Sequence, residues 1–341
     1  MLARLAACAA LLALLGCGGS PAQTGGGDLD GAKKGVILLR YTQGSESTTQ
    51  REQGFLDTLQ KEFPSIHILS DNQYSGTTPE SSLEKALQML TKYGDRVEGI
   101  FAVCEPNANG VLVALEQHGM LGKVKFIGFD PNERMVTALG EHHMDGIVLQ
   151  DPVSMGDKAV RTMVARLEDK DAKIEKRIST GEFLATPENM NTDEMKRLLN
   201  PPQFATSSIS GEKKYRVAVI PKGTTHEFWK SVHFGANRAA EELGNVEIIY
   251  KGPHLESDRD SQISLVQDFI TKKVDGICLA PLDAQALVGV VKEAKEAGIP
   301  TVIFDSDLDA PDDYVSYVAT DNYQGGVLAA RRLAELLGKG K

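Results

Sequence analysis

The chain has 341 residues, of which 41% are hydrophobic and 25% are charged. This is an ordinary globular composition, and the length is sufficient for two domains of typical size. The net charge of −10 argues against a nucleic-acid-binding surface, because contact with phosphates requires clustered Lys and Arg.

The first residues have the pattern of an export signal. An apolar run over 5–15 is too short to span a bilayer but has the length of a signal-peptide core. It closes with Leu14-Leu-Gly-Cys17, which resembles the bacterial lipobox, in which the cysteine is acylated and becomes the first mature residue. We therefore expect a signal peptide over 1–16, a lipidated Cys17, and a flexible Gly-rich tether over 17–34. An ordinary secretory signal cleaved nearby is the alternative.

Beyond the tether, short apolar runs alternate with stretches in which apolar residues recur every three or four positions. The apolar runs predict buried strands at 36–41, 66–69, 97–103, 124–129, 147–149, 215–220, 246–250, 274–280, 300–304 and 314–319. The periodic stretches predict helices at 47–59, 79–90, 109–118, 134–139, 155–167, 228–243, 257–272, 284–297 and 325–337. Strands alternating with helices of this length predict parallel sheets covered by helices on both faces.

Local sequence also predicts two helix starts and a break between two halves. Ser47-Thr-Thr-Gln50 has the form of a capping box, and Thr78-Pro79 places proline at the first helical position. Asn200-Pro-Pro202 and the Ser-rich residues after it show no periodicity. Residues 201–213 are therefore predicted to form a connector.

The parts of the chain before and after the connector resemble each other. Val97-Glu-Gly-Ile leads through Cys104-Glu-Pro to an aspartate at 130, and Val274-Asp-Gly-Ile leads through Cys278-Leu-Ala-Pro to an aspartate at 305. Each part thus has a strand, a helix and a second strand that ends in an aspartate. Two such sheets predict two lobes facing across a cleft, which is a favoured position for a small-molecule site.

The loop after the predicted strand 215–220 has a distinctive composition. It carries a hydrogen-bonding pair, His226-Glu227, followed by an aromatic pair, Phe228-Trp229, and Trp229 is the single tryptophan of the chain. Ligands of parallel sheets bind beyond the carboxyl ends of the strands, so we expect a small polar molecule to dock here. A place in the core is the alternative for both aromatic residues.

Five motifs together resemble the ribose-type sugar-binding proteins of bacterial ABC importers. They are Gln50-Arg-Glu-Gln-Gly-Phe55, Val124-Lys-Phe-Ile-Gly-Phe-Asp130, Leu149-Gln-Asp-Pro152, Gly298-Ile-Pro-Thr-Val-Ile-Phe-Asp305 and Val318-Ala-Thr-Asp-Asn322. The resemblance implies the type I periplasmic binding protein fold, with two similar Rossmann-like α/β lobes joined by hinge strands. It assigns one lobe to residues 35–149, 183–200 and 322–341, and the other lobe to residues 150–182 and 214–321.

The order of the segments differs from that family. Its members begin with the segment that here starts at Lys214, and the segment that ends at Lys341 should continue directly into Gly35. The resemblance therefore implies a circularly permuted chain. Permutation is tolerated where the original termini lie close together and the new ones fall in an exposed turn.

The resemblance also implies which residues contact a ligand. The family's polar contacts after its first strand correspond to His226 and Glu227, and its ring-stacking aromatic residues correspond to Phe228 and Trp229. Its other hydrogen-bonding positions correspond to Arg51, Asp130, Gln150 and Asp305. Many relatives have Asn or Asp where this chain has Cys104, so that polar contact has either moved to Glu105 or been lost. Helix capping is the alternative for the two aspartates, and a solvated helix charge is the alternative for Arg51.

These features imply an exported, lipid-anchored receptor that binds a monosaccharide by hinge closure and delivers it to the permease of an ABC importer. A periplasmic sensor that presents the sugar to a membrane receptor or kinase is the alternative. An enzyme is not indicated, since G-x-S-x-G, H-E-x-x-H, G-x-G-x-x-G and C-x-x-C are all absent. We expect no metal and no cofactor, and we expect Cys104 and Cys278 to be buried, unpaired thiols.

Overall fold

Alternating strands and helices occupy residues 33–203 and 214–339, which are the residues that the computed structural model describes. The strands are β1 (Gly35–Arg40), β2 (Ile68–Tyr74), β3 (Val97–Ala102), β4 (Lys125–Phe129), β5 (Gly146–Leu149), β6 (Arg177–Ser179), β7 (Phe183–Ala185), β8 (Tyr215–Ile220), β9 (Val246–Tyr250), β10 (Gly276–Leu279), β11 (Thr301–Phe304) and β12 (Tyr317–Ala319). The helices are α1 (Glu46–Glu62), α2 (Pro79–Tyr93), α3 (Glu105–Gln117), α4 (Glu133–Gly140), α5 (Pro152–Glu168), α6 (Asp193–Leu199), α7 (Glu227–Leu243), α8 (Arg259–Thr271), α9 (Val288–Glu296) and α10 (Asn322–Leu336). The predicted signal peptide, Cys17, nearly all of the tether and the connector residues 204–213 lie outside the described residues.

The strands form two six-stranded sheets. The first has the order β2-β1-β3-β4-β5-β7 and the second has the order β6-β12-β11-β10-β8-β9. Every pairing is parallel except that of β5 with β7. Apolar clusters lie on both faces of each sheet, so each sheet is the middle layer of an α/β lobe. We call these the first lobe and the second lobe, and they confirm the predicted two-lobed parallel architecture.

The chain passes between the lobes three times. β5 of the first sheet leads into α5, which packs on the second sheet, and β6 of the second sheet leads into β7 of the first. The third passage joins β12 to α10. Two of these passages are tied together, because the N–H of Thr180 donates to the carbonyl of Ala319 over 3.0 Å. Connections of this kind allow two lobes to rotate about a hinge.

Helix α10 belongs to the first lobe although it follows a strand of the second. It packs against α1, and the closest approach is made at Gly54 and Gly326. A Cβ atom at Gly54 would overlap the carbonyl of Tyr323, and one at Gly326 would overlap the carbonyl of Arg51. The two helices therefore pack backbone to backbone, which only glycine permits at these positions.

Two local predictions have different outcomes. Proline occupies the first turn of α2, as the sequence predicts, and Thr78 also caps this helix through a capping box with Ser81. The capping box predicted at Ser47 is wrong, because α1 begins at Glu46 and its N-cap Ser45 makes no side-chain capping bond. The Ser45 and Ser47 hydroxyls instead accept hydrogen bonds from Lys222 of the second lobe.

In the described part of the chain, no helix has both the length and the apolar character needed to cross a membrane.

Candidate functional site

A cavity lies between the lobes, at the carboxyl ends of the strands. The loops that follow β1, β3, β4 and β5 line it from the first lobe, and those that follow β8, β9 and β11 line it from the second. Its lining consists of Tyr41, Ser45, Ser47, Thr48, Arg51, Cys104, Glu105, Pro106, Asp130, Gln150, Lys222, His226, Phe228, Trp229, Glu256 and Asp305. The cavity measures about 40 Å³. That is space for roughly three water molecules, so a larger ligand must move the lobes apart to enter.

Arg51 is held in place by contacts to four residues. Nη1 donates to the carbonyl of Val103 over 2.9 Å, and Nε donates to Oδ1 of Asn322 over 2.8 Å. The ring of Phe129 lies 3.7 Å from the guanidinium carbon, which is cation–π distance. Asp130 lies 3.7 Å from Nη1, so the charge of this buried arginine is paired. The solvated-charge alternative for Arg51 is therefore wrong.

Asp130 and Asp305 occupy corresponding places in the two lobes. Asp130 follows β4 with φ 61°, and Asp305 follows β11 with φ 64°. This left-handed conformation is unfavourable for residues other than glycine, and it persists where neighbouring bonds impose it. Here the N–H of Asp130 donates to Val148, and that of Asp305 donates to Val318. The strained backbone turns both carboxylates into the cleft.

Gln150 and Glu105 complete the first lobe's contribution. Nε2 of Gln150 donates to Asp130 over 2.9 Å, while its buried Oε1 has no partner among the described residues. Oε1 of Glu105 accepts from Nδ2 of Asn132 over 2.5 Å. Cys104 also lines the cavity, and its thiol donates to Asn107 over 2.7 Å. Cys104 and Cys278 are both buried and free, as predicted.

Lys222 is a charged residue of the site that the sequence analysis missed. It follows β8, is almost fully buried, and its Nζ lies 2.7 Å from Oδ2 of Asp305. The same ammonium donates to Ser306 over 2.5 Å and, across the cleft, to Ser47 over 3.1 Å and Ser45 over 3.3 Å. A lysine two residues after the buried end of a strand was the available signal, because that position faces the ligand edge of the sheet.

Glu256 and Tyr41 were missed as well. The Glu256 carboxylate accepts from Nε1 of Trp229 over 2.6 Å, and His226 Nδ1 lies 2.8 Å from the same oxygen. Its second oxygen accepts from Oη of Tyr41, in the opposite lobe, over 3.1 Å. Glu256 therefore orients two of the predicted site residues and also joins the lobes.

The aromatic residues Phe228 and Trp229 both pack in the core and line the cavity. Trp229 is 3% exposed and packs edge-on against Phe228 and Phe304, with centroid distances of 4.8 and 6.3 Å. Both Phe228 and Trp229 nevertheless line the cavity. Glu227 does not line it, and its carboxylate accepts from Lys230, one turn further along α7, over 2.7 Å. Of the nine predicted site residues, the structure thus brings together all except Glu227.

Burial and neighbouring charges shift the pKa values of the acidic groups and of His226. Burial raises the pKa of Asp130 to about 6 and also raises that of Glu105. Burial lowers the pKa of His226, but the adjacent Glu256 carboxylate outweighs it and the value rises to about 9. Burial likewise opposes ionisation of Glu256, yet His226 holds its pKa at about 2. A buried His226–Glu256 ion pair is therefore present at neutral pH.

This ion pair predicts how stability depends on pH. The raised pKa of His226 stabilises the fold fully below 6.5, its ordinary value, and this contribution is lost as the pH rises through about 9. The lowered pKa of Glu256 stabilises the fold above 4.5 and is lost only as the pH falls through about 2. We expect the melting temperature to fall between pH 7 and 9.5, with a smaller fall in His226→Gln.

Thermal unfolding across this range measures the effect, and the exposed His118 supplies the matched control. The melting temperature of His118→Gln should change with pH as that of the unmodified protein does. Identical pH slopes in His226→Gln and the unmodified protein would show that the ion pair does not titrate as described.

The charges of the cavity nearly balance. Three cationic side chains (Arg51, Lys222 and His226) face the carboxyl groups of Glu105, Asp130, Glu256 and Asp305. Within residues 33–203 and 214–339, no group of three or more His, Cys, Asp or Glu side chains is placed to hold a metal ion. The arrangement suits a neutral ligand with many hydroxyl groups.

Comparison with known proteins gives one family match and several partial relatives. A family model described as a periplasmic binding protein domain matches residues 19–171 and 217–341. The ribose import binding protein of Bacillus subtilis is 33% identical over 143 residues, which is 42% of this chain and 46% of that protein. The D-ribose/D-allose-binding protein of Pseudomonas aeruginosa is 35% identical over 131 residues, covering 37% of this chain and 41% of that protein. The aligned part of the chain thus spans less than half the length of these two relatives.

A solved structure extends the likeness to nearly the whole fold. It is that of a glucose-galactose binding protein from Geobacillus stearothermophilus. It matches with a TM-score of 0.56, covering 91% of this chain and 92% of that chain, at 13% identity. At this identity the match concerns the fold alone.

Proposed function

Since the chain belongs to the periplasmic binding protein family, we propose that it captures a monosaccharide between its lobes and delivers it to the permease of an ABC importer. The observation that carries the proposal is the buried, nearly charge-balanced cavity at the carboxyl ends of both sheets. The family match and the names of the two curated relatives support it.

The side chains of the cavity suit the two faces of a sugar. The C–H groups of a sugar ring pack on aromatic rings, for which Phe228 is placed at the wall of the cavity. Sugar hydroxyls donate to carboxylates and accept from Arg, Lys and Gln, and hydrogen bonds to charged groups are the stronger kind. Micromolar affinity needs about −8 kcal/mol, which one packed ring and a few charged hydrogen bonds can supply.

Binding is coupled to hinge motion in this proposal. The cavity of about 40 Å³ admits a sugar ring only if the lobes separate. Separation breaks the cross-cleft bonds from Lys222 to Ser45 and Ser47 and from Tyr41 to Glu256. A ligand that contacts both lobes replaces these bonds, and its preference for the closed form shifts the equilibrium toward closure.

The segment order and the membrane attachment belong to the same proposal. Circular permutation is proposed from the order of the sequence motifs. The family match falls in two segments on either side of the connector, and the two curated alignments cover less than half of this chain. In the proposed protein, Cys17 carries the lipid that holds it at the outer face of a membrane. The sequence assigns residues 150–182 and 214–321 to one lobe. We propose that this lobe moves as a unit relative to the other.

A thermal-shift screen over pentoses and hexoses tests the binding function. A sugar present at 100 times its Kd should add about 2.7 kcal/mol to the free energy of unfolding. A folded sample that responds to none of these sugars would contradict the proposal.

A further inference from the structure

A second, larger space adjoins the cavity. It is a groove of about 730 Å³ on the side of Phe228, bounded by Pro131, Asn132 and Leu198 among others. Asp130, Gln150 and Phe228 line both the cavity and the groove. A ligand held by Asp130 and Gln150 in the cavity is therefore next to the groove, with only these side chains between.

The groove has unused hydrogen-bonding capacity. Asn109 lines it, and the buried Oδ1 of this residue has no partner among the described residues. Oε1 of Gln150 is also buried without a hydrogen-bond partner among the described residues, and Gln150 is only 3% exposed. A buried acceptor without a partner costs about 1–3 kcal/mol, so a hydroxyl group that reaches both oxygens would be stabilised.

Other residues of the groove are those that commonly contact carbohydrates. Glu227, which does not line the cavity, lines the groove, and so does Asn132. Pro131 and Pro152 supply apolar surface. Glu227 can therefore contact a ligand in the groove, although the sequence predicts it at the cavity.

We propose that the sugar in the cavity is joined to a second polar ring, so that the ligand class is a disaccharide or a related glycoside, with the second ring in the groove. This inference rests on the proposed function and deepens it. The first ring contacts Arg51, Asp130 and Asp305 in the cavity. The second ring donates hydroxyl hydrogens to Gln150 Oε1 and Asn109 Oδ1.

Calorimetric titration tests the inference with defined probes. The panel comprises D-xylose, D-glucose and D-galactose, their methyl glycosides, and disaccharides that carry the same sugars at the non-reducing end (xylobiose, cellobiose, lactose and melibiose). We expect at least one disaccharide to bind about tenfold more tightly than its parent monosaccharide, a difference of about 1.4 kcal/mol. Asn109→Ala should weaken disaccharide binding about fivefold, which is the effect of losing one hydrogen bond. Monosaccharide affinity should stay within about twofold of that of the unmodified protein.

Asn72→Ala is the matched control, because Asn72 is exposed and distant from the groove in the fold. It should change neither affinity. If monosaccharides bind and no disaccharide binds more tightly, this inference is wrong while the proposed function stands. The inference is also wrong if Asn109→Ala weakens both classes of ligand equally. If no sugar of the panel binds, the proposed function fails and this inference fails with it.

Discussion

Replacement of Arg51 by methionine is expected to destabilise the protein by about 3–5 kcal/mol, because removing one partner of a buried ion pair leaves the other charge unpaired. Asp130 loses its cation, and Val103 and Asn322 lose the donors that their oxygens now accept from. Sugar affinity should fall in parallel, since Arg51 lines the cavity. Urea unfolding followed by circular dichroism measures the stability difference.

Arg134→Met is the matched control for this variant. Arg134 pairs with Glu116 at the surface, where their side chains are 49% and 56% exposed. Exposed pairs contribute about 0–1 kcal/mol, so the control should unfold within that range of the unmodified protein. If both variants lost the same stability, Arg51 would not be the buried, paired group that the geometry describes.

Lys222→Met is expected to open the cleft. Two hydrogen bonds from its ammonium reach Ser45 and Ser47 across the cleft, and hydrogen bonds to charged groups contribute about 1.5–3 kcal/mol each. Their loss should weaken the closed form by about 3 kcal/mol and leave Asp305 without its partner. Small-angle X-ray scattering should therefore give a larger radius of gyration for the sugar-free variant. Sugar affinity should fall by about 10- to 100-fold, because Lys222 lines the cavity and its ammonium is lost as a donor to the sugar.

Lys61→Met controls for the loss of a lysine as such. The Lys61 side chain is 68% exposed and pairs with Asp57 within the same helix. This control should keep the radius of gyration and the sugar affinity of the unmodified protein. A Lys222 variant that scatters like the control and binds sugar normally would show that Lys222 does not hold the lobes closed.

The sheets could be predicted from the sequence because their strands are buried on both faces. A strand such as β5 is a continuous apolar run, which marks it without any tertiary information. The strands β6 and β7 and the helix α6 were not predicted from the apolar pattern, although the resemblance implied a crossing between the lobes near 180–183. β6 has three residues and is largely exposed, so it lacks the apolar pattern and forms only because β12 is there to pair with it.

The two aspartates of the site were predictable because they recur in equivalent motifs of the two halves. Lys222, Glu256 and Tyr41 carry no such local pattern. Their roles depend on partners far away along the chain, since Lys222 and Ser47 are separated by 175 positions and Tyr41 and Glu256 by 215. The same cause explains the wrong capping box, since the hydroxyls of Ser45 and Ser47 are directed to a lysine of the other lobe rather than to their own helix.

The most direct test of sugar capture between the lobes uses the single tryptophan. Trp229 lines the cavity and donates to Glu256, so its fluorescence reports the site and no other part of the chain. Titration with the sugar that most stabilises the protein should change this fluorescence saturably, with one sugar per chain, and Phe228→Ala should shift the midpoint to higher concentration. A sugar that stabilises the protein while leaving the Trp229 emission unchanged at every concentration would contradict binding in this cavity.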